Sequence, residues 1–296
     1  MTTPATTPSM GYLAKLATSA STPATQPFAF ISESMGKRQA IVEREGIKGT
    51  RSHYTEDTRL GNAPTGGQLV LEPTPEDLAI WFPRILGAAA VGTSFALAET
   101  LPSFFMAIDR VAKVHTYPKN WVNTATFSCS EGQPMKLSLD IVGTDETEGA
   151  AGTFPSLTLA LTQPYMFSDM EITLNAIKRE CKEFTLTIDN HLHKDRFFNS
   201  TTIYAAPAED RTITLSCQPP YAAENVDLYR QALAGAAGSL VLTNAGYSTT
   251  FTFGMLQVPP EAPNVNGKGE LMLPLNMVAR KNGSTMELAV THDSTP

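Results

Sequence analysis

The sequence predicts a mainly β protein made of two tandem modules, each a β-sandwich or barrel with one flanking α-helix and one long hairpin arm. Three observations support this prediction. Segments of the first half recur in order in the second half, apolar and polar residues alternate along much of the chain, and each half holds one helical segment and one long polar loop. The 296 residues are enough for two modules of ordinary domain size, roughly 100–150 residues each.

The internal repeat rests on four pairs of similar segments. They are 27–30 with 164–167, 75–87 with 224–235, 137–142 with 273–278, and 159–162 with 288–291. The spacing is far longer than the roughly 20–50 residues of solenoid repeats, so a whole module is repeated. We therefore predict module 1 over residues 27–163 and module 2 over 164–296. Residues 1–26, rich in Thr, Ala, Ser and Pro, are expected to form a flexible tail.

The strands are predicted from alternation. Phe184, Leu186 and Ile188 alternate with polar residues, and the same pattern occurs in 137–141, 212–217 and 250–253. Successive side chains of a strand point to opposite faces, so each of these segments has one apolar and one polar face.

One helix is expected in each half. In the first, Thr74 is placed to cap the helix, Pro75 occupies its first turn and Asp77 completes a capping box, while Pro83 is expected to kink or restart it. In the second, apolar residues within 224–235 share one face and Gly235 follows as a C-terminal cap.

A long polar loop occupies a similar place in each half, at 46–67 and at 191–210. Loops longer than about 12–15 residues are uncommon in compact domains and are usually functional. We interpret both as hairpin arms that reach out to a neighbouring molecule.

The totals exclude several classes of function. A net charge of −7 argues against a protein that grips nucleic acid, and three scattered cysteines fit neither a disulfide framework nor a zinc site. No signal peptide is evident and no apolar stretch is long enough to span a bilayer, so we expect a soluble protein made in the cytoplasm.

The search for chemistry predicts no catalytic, cofactor or metal site. His191 and His193 lack a third ligand. Of the acidic clusters Glu43/Glu45, Asp145/Glu146/Glu148 and Glu209/Asp210, the last two lie in loops where solvated charge is the default. None of the common nucleotide, hydrolase or metalloprotease motifs occurs. A structural protein is therefore favoured over an enzyme.

Several distinctive runs give the chain a family resemblance. Over nearly its whole length, from about residue 27 to 293, it resembles the tail tube (major tail) proteins of long-tailed bacteriophages. The runs that carry the resemblance are 33–36, 46–53, 71–78, 98–104, 108–115 and 152–157.

The resemblance implies a virion structural protein with no cofactor and no membrane. Such subunits form rings whose inner strands join into one barrel, and the rings stack into a hollow tube with the long arm reaching the next ring. The usual subunit has one copy of the fold and forms hexamers, so two copies imply a trimeric, pseudo-hexameric ring. The implied partners are the chain itself, tape-measure and tail-tip or terminator proteins, and double-stranded DNA that passes through the lumen without specific binding. Assembly is expected in the host cytoplasm, and the tube is expected to conduct DNA during ejection.

Candidate residues follow from these expectations. The mixed charges and aromatics of the arms suit a directional contact between stacked rings. Polar residues opposite the apolar strand faces suit a lumen that lets DNA slide. Arm 1 carries Lys48, Arg51, His53, Glu56, Asp57 and Arg59; arm 2 carries Lys194, Asp195, Arg196, Phe197 and Phe198; and the lumen candidates are Glu43, Ser138, Asp140, Thr185, Thr187 and Asp189.

Other classes of function stay open at this point. A tail terminator or baseplate ring would also use a duplicated fold but would give single rings. A receptor-binding β-sandwich of a virion would not self-assemble, and a cell-wall hydrolase would need a carboxylate pair.

Overall fold

The structure is a computed structural model, and it describes residues 10–222, 225, 227–228, 235–259, 265 and 268–295. Within these residues the protein is mainly β, with twenty strands, one α-helix and three short 3-10 turns. The fold class predicted from alternation is confirmed. The predicted second helix, 224–235, lies largely outside the described residues.

The first half forms twelve of these strands. They are β1 (Lys15–Ser19), β2 (Gln26–Phe28), β3 (Ser32–Glu33), β4 (Gly36–Lys37), β5 (Ile41–Glu43), β6 (Thr58–Leu60), β7 (Thr65–Leu71), β8 (Ser94–Phe95), β9 (Phe104–Asp109), β10 (Val114–Ser130), β11 (Lys136–Gly143) and β12 (Thr147–Gly149). The 3-10 turn Gly11–Leu13 precedes β1, and the turn Thr55–Asp57 precedes β6.

The second half forms the other eight described strands. They are β13 (Met170–Leu174), β14 (Ile177–Arg179), β15 (Glu183–Asp189), β16 (Thr212–Cys217), β17 (Ala236–Asn244), β18 (Tyr247–Gln257), β19 (Leu275–Arg280) and β20 (Ala289–Asp293). The third 3-10 turn, Phe167–Asp169, precedes β13.

A central antiparallel sheet runs through both halves in the order β7, β11, β10, β15, β16, β19. β3 and β4 pair with the outer side of β7, and the end of β18 pairs with the outer side of β19. Among the described strands no pairing joins the two ends of this order. The central sheet is therefore open at both ends rather than a closed barrel.

A second layer of strands branches from the two longest strands. β10 also pairs with β9 and β12, β9 with β1, and β1 with β2. In the same chain order, β18 pairs with β17 and β20, β17 with β13, and β13 with β14. The pairings of the first half thus recur in the second.

The helix α1 (Pro75–Leu86) begins as the sequence predicts. The Thr74 hydroxyl accepts a hydrogen bond from the Asp77 N–H, and the Asp77 carboxylate accepts one from the Thr74 N–H at 2.9 Å. At the other end Gly87 takes a left-handed φ of 97°, a conformation that favours glycine. The helix continues through Pro83 instead of restarting there.

Helix α1 packs into a core that both halves share. Phe82 lies 6.1 Å from Phe127 of β10 and 5.8 Å from Phe251 of β18, measured between ring centroids. The short strand β8 pairs with β20 of the second half. One hydrophobic cluster therefore extends across both halves.

Residues 10–26 differ from the flexible tail that was expected over 1–26. Strand β1 pairs with β2 and β9, and its residues 16–19 are buried. The buried Arg84 of α1 donates hydrogen bonds to Thr18 and Gln26, both at 2.7 Å. Residues 10–26 thus belong to the folded body, because apolar Leu16 and Ala17 supply enough burial despite the polar composition around them.

Candidate self-assembly surfaces

Arm 1 is a separate hairpin that stands away from the central sheet. Strands β5 and β6 pair only with each other among the described strands. Nearly all side chains from 38 to 60 are exposed, including the apolar Ile41, Ile47 and Leu60. Apolar side chains grouped on one exposed element mark a surface that a partner covers.

The predicted residues of arm 1 lie together on this hairpin. Lys48 forms an ion pair with Asp57, and its ammonium lies 5.6 Å from the centre of the Tyr54 ring. His53 Nδ1 contacts the Glu43 carboxylate. Arg51, Glu56 and Arg59 are exposed. Glu43, expected on the lumen face, therefore lies on the arm, since β5 belongs to the hairpin and not to the central sheet.

A cluster of charges holds the base of arm 1. Arg110 donates two hydrogen bonds of 2.9 Å to the Glu33 carboxylate, and Lys37 N–H donates one of 2.7 Å to Glu146. The hydrogen bonds to Glu33 raise the pKa of Arg110. Glu146 also contacts His115, while Glu33 accepts from the Met35 N–H at 2.9 Å. The chain leading into the arm is thereby fixed against β10.

This cluster was missed by sequence reasoning, which treated Asp145 and Glu146 as a loop pair. The structure gives them separate structural roles, with the Lys37 ammonium bonded to Asp145 at 2.7 Å. Burial alone would raise the pKa of Asp145, but the hydrogen bonds from Lys37 and from the Glu146 N–H outweigh it and lower that pKa. Lys37 lies more than 100 residues from Asp145 and Glu146, and Arg110 lies 77 residues from Glu33, so no local pattern reveals the cluster.

Arm 2, over 191–210, folds back on the body instead of standing free. Leu192, Ile203 and Ala206 are buried in a small cluster with Val142, and Phe197 packs against it. A backbone hydrogen bond of 2.7 Å from Ala63 N–H to Thr201 O connects arm 2 to the base of arm 1. The second arm is therefore a packed loop with a short exposed tip.

The predicted residues of arm 2 divide between body and tip. Lys194 reaches the Asp140 carboxylate at 2.9 Å, and Phe197 is half-buried. Asp195 is exposed, and Phe198 is 64% exposed with the Arg196 guanidinium 4.8 Å from its ring centre. Phe198, rather than Phe197, is available as an apolar anchor.

One face of the central sheet is mostly polar, and its side chains line up in rows that run across neighbouring strands. Five of the predicted lumen residues, Ser138, Asp140, Thr185, Thr187 and Asp189, lie on it. Its three rows are Gln68, Asp140, Thr124, Asp189, Thr212; then Val70, Ser138, Thr126, Thr187, Thr214, Val278; then Lys136, Ser128, Thr185, Ser216, Asn276. The opposite face of the same strands is buried in the core.

Hydroxyl groups dominate this polar face, and its two carboxylates are both hydrogen-bonded. Asp140 accepts hydrogen bonds from Lys194 at 2.9 Å and Asn123 at 2.7 Å. Asp189 accepts one from Thr124 at 3.1 Å. The face is thus closer to neutral than to acidic.

The two ends of the central sheet are unequal. At one end, β3 and β4 pair only with β7 among the described strands, and the N–H groups of Met35 and Lys37 are bonded to carboxylates. At the other end, β18 makes its last pair with β17 at Leu256, so Gln257 pairs on the β19 side alone among the described strands. The end at Gln257 therefore offers backbone groups to a further strand, whereas a strand that pairs with β4 has to replace the carboxylates at Met35 and Lys37.

No helix among the described residues combines the length and apolar character needed to cross a membrane. The same residues hold no group of three or more His, Cys, Asp or Glu side chains placed to bind a metal ion. His193 instead contacts Glu209 at 3.2 Å, and the His191 ring nitrogen contacts the carbonyl of Asp210 at 2.5 Å.

Comparison with known proteins agrees with the resemblance in the sequence. A search of curated proteins found no match to the chain. The family described as phage tail tube protein matches residues 1–279, well over half of the chain. The chain therefore belongs to the phage tail tube protein family, as a structural virion protein that self-assembles into the tail tube.

Proposed function

We propose that three copies of the chain close head to tail into a ring of six modules, and that these rings stack into a tube that conducts double-stranded DNA. The observation that carries the proposal is the joint between β10 and β15. There the first half already joins the second through a continuous antiparallel pairing, from Thr124–Asp189 to Ser130–Glu183.

The modules are inferred from the recurring order of pairings. Each half contains, in the same order, a 3-10 turn, a hairpin, an arm, an inner strand and one long bent strand. In this order β10 corresponds to β18. Strand β15 corresponds to the β3–β4 segment. On this basis module 1 begins at about residue 10 rather than 27, and module 2 begins near residue 164. A gene duplication accounts for both the pairings and the similar segments in the sequence.

The open ends of the sheet supply the contacts between copies. In this alignment Gln257, which follows Leu256 at the end of β18, corresponds to the start of residues 124–130 of β10, and the β3–β4 edge corresponds to β15. If one end of the central sheet in each copy pairs with the opposite sheet end of the next copy, the β10–β15 joint is repeated around a circle. A ring closed in this way has no exposed edge in its central sheet.

The polar face is proposed to line the lumen. DNA carries one negative charge per roughly 1.7 Å of its axis, so a basic wall would hold it. The row that contains Thr126, Thr187 and Thr214 presents neutral hydroxyls instead. Such a wall lets DNA pass without a specific bound position.

The lumen assignment can be checked by labelling assembled tubes. In a Cys181→Ser background, Thr187→Cys should react with a small maleimide but not with one carried on a bulky polymer. A cysteine at the exposed Glu171 of β13 should react with both reagents. Equal reaction of Thr187→Cys with the bulky reagent would contradict the assignment.

The arms are proposed to connect stacked rings. Arm 1 offers exposed apolar side chains and mixed charges, which suit a contact that sets register as well as affinity. The tip of arm 2, with Phe198 and Arg196, lies beside its base. Tape-measure and tail-tip or terminator proteins are the other partners we propose, with assembly in the host cytoplasm and no enzymatic activity.

The decisive experiment is electron microscopy of the purified protein, combined with native mass spectrometry of any rings. We expect hollow tubes of stacked rings with three copies in each ring. Single rings that never stack would indicate a terminator or baseplate role. Monomers alone, or a ring of six copies, would overturn the proposed assembly.

A further inference from the structure

An apolar groove lies over the first strands of the chain. It has a volume of about 480 Å³, and its lining includes Tyr12, Leu16, Phe28, Ile31 and Leu159. Tyr12 is 85% exposed and Ile31 53% exposed. An apolar groove with exposed aromatic and aliphatic walls is typical of a binding surface.

The corresponding place in the second half is covered. There the 3-10 turn Phe167–Asp169 precedes β13, just as Gly11–Leu13 precedes β1. The turn between β10 and β11 lies against it: Met135 N–H donates to Tyr165 O at 2.8 Å, and Phe167 N–H donates to Gln133 O at 3.1 Å. Tyr165 and Met135 are fully buried as a result.

The turn between β10 and β11 also contacts the start of β15. Glu131 N–H donates to Lys182 O at 3.0 Å, directly before the first β10–β15 pair. One hairpin end of the first half thus covers both the turn and the strand edge of the second half. Within the described part of the chain, the groove of the first half has no such cover.

We propose that this groove receives the β18–β19 end of a second copy of the chain. The β18–β19 end is the counterpart of the β10–β11 end that covers the second half, and the order of pairings is the same. Ile31 extends the groove into the β3 edge, where its N–H is bonded to Val70 O of β7. A single neighbour can therefore fill the groove and pair with the edge.

The donor end supplies an exposed apolar side chain. Val265, in the β18–β19 connection, is 79% exposed, whereas Val258, directly after β18, is already buried in the core of its own chain. Burying the exposed Val265 side chain removes apolar surface from water and so favours the contact. The inference rests on the proposed ring and names the two surfaces that meet in it.

This contact is heterologous, so each copy carries one acceptor groove and one donor end. A substitution in the acceptor groove leaves the donor end intact, and the reverse also holds. A copy with a mutated groove can therefore still form one contact with a copy that has a mutated donor end. We use Tyr12→Asp with Ile31→Asp as the acceptor variant and Val265→Asp as the donor variant. Val91→Asp is the matched control, since Val91 is 81% exposed and lies outside both surfaces.

Assembly is measured by analytical ultracentrifugation and electron microscopy, with circular dichroism to confirm folding. Wild type and Val91→Asp should form rings and tubes. The acceptor and donor variants should each stay monomeric alone at the same concentration. Their equimolar mixture should give a one-to-one dimer and nothing larger, because only one competent contact is left.

Tubes from the acceptor variant, or a mixture of folded variants that stays monomeric, would overturn the proposal. The second result would indicate that the groove is filled by residues 1–9 of the same chain or by another protein. Wild-type protein that never forms rings would instead contradict the proposed function. The two failures are therefore distinguishable.

Discussion

Arg84 carries a positive charge into the interior of the molecule. Its guanidinium lies 4.9 Å from the ring centres of both Trp81 and Phe104, and it donates to Thr18 and Gln26. Burial lowers the pKa of Arg84 to about 10. The residue connects helix α1 to the first two strands, and its position in an apolar helix gives no sign of that role.

Replacing Arg84 should loosen the start of the chain. Arg84→Met keeps most of the side-chain volume but leaves two polar partners without their donor, so we expect a loss of about 1–3 kcal/mol in unfolding free energy. Urea denaturation measures the loss, and hydrogen exchange should show faster opening of β1. The exposed Arg38→Met is the control, and an equal effect there would contradict the explanation.

His292 makes the stability of the subunit depend on pH. Its Nε2–H donates to Pro75 O and its Nδ1 lies 2.8 Å from the Thr249 hydroxyl, an arrangement that suits the neutral ring. Burial lowers the pKa of His292. The unfolded chain therefore binds this proton more readily, and stability present above about pH 6.5 is lost as the pH falls below it.

The size of the effect is at most about 1.4 kcal/mol per pH unit for one proton. His292→Gln, which can keep one hydrogen bond, should lower stability at pH 8 but flatten the slope between pH 6.5 and 5. Denaturation across that range tests the change. An unchanged slope in the variant would assign the pH dependence to other groups.

At the scale of elements, the two arms differ although the sequence suggests similar loops. Alternation predicts the strands and the residues of the polar face well, because the side-chain direction of a strand follows from its period of two. Glu43 fits the same alternation, yet β5 belongs to the arm. Which sheet a strand joins depends on partners far along the chain, and a local pattern does not contain them.

Only some of the similar sequence segments fall on strands that occupy the same place in the two halves. Segment 137–142 and its partner 273–278 fall on or beside the equivalent strands β11 and β19. Segment 27–30 begins within β2, whereas 164–167 precedes β13, so these two are not equivalent. In the proposed alignment of the modules, the first boundary therefore lies near residue 10 instead of residue 27.

The charge cluster at the base of arm 1 should control how the arm is presented. Arg110→Ala removes both hydrogen bonds to Glu33, so we expect a mobile arm, faster tryptic cleavage at Arg44 to Arg59, and rings that stack poorly. Lys113→Ala is the control, because its ion pair with Glu148 is largely exposed. Normal stacking by Arg110→Ala would show that the arm needs no fixed base.

The tip of arm 2 is best tested by a point substitution. Deleting 199–206 would remove the buried Ile203 and Ala206 and damage the body. Phe198→Ser changes an exposed side chain, so stability should change by less than about 0.5 kcal/mol while tube formation falls. Ile177→Ser, at the exposed start of β14, should assemble normally. Unchanged tube formation by Phe198→Ser would remove it from the stacking contact.

On the scale of the whole molecule, the shared core makes the two halves one folding unit. Phe82 contacts rings from both halves, and β10 pairs with β15 across them. The sequence predicts two modules because it repeats, but it does not show that their cores are continuous. That continuity depends on helix α1 packing against strands about 170 residues away.

Phe82→Ala should therefore destabilise both halves together, by about 3–5 kcal/mol. Hydrogen exchange of β7 and β16 follows the two halves separately in denaturant. We expect both to lose protection in the same transition. Persistent protection of β16 after β7 has opened would indicate two independent domains.

The peptide link across the β10–β15 joint has a mechanical consequence for a ring of three chains. In such a ring, every second contact between neighbouring modules lies within one chain. The peptide link gives the two modules at that contact an effective concentration of order millimolar or more. Contacts within one chain therefore resist dilution, whereas contacts between two chains form only when the chains collide. In the proposed ring, outward strain during the passage of DNA should therefore split the wall along three lines rather than six.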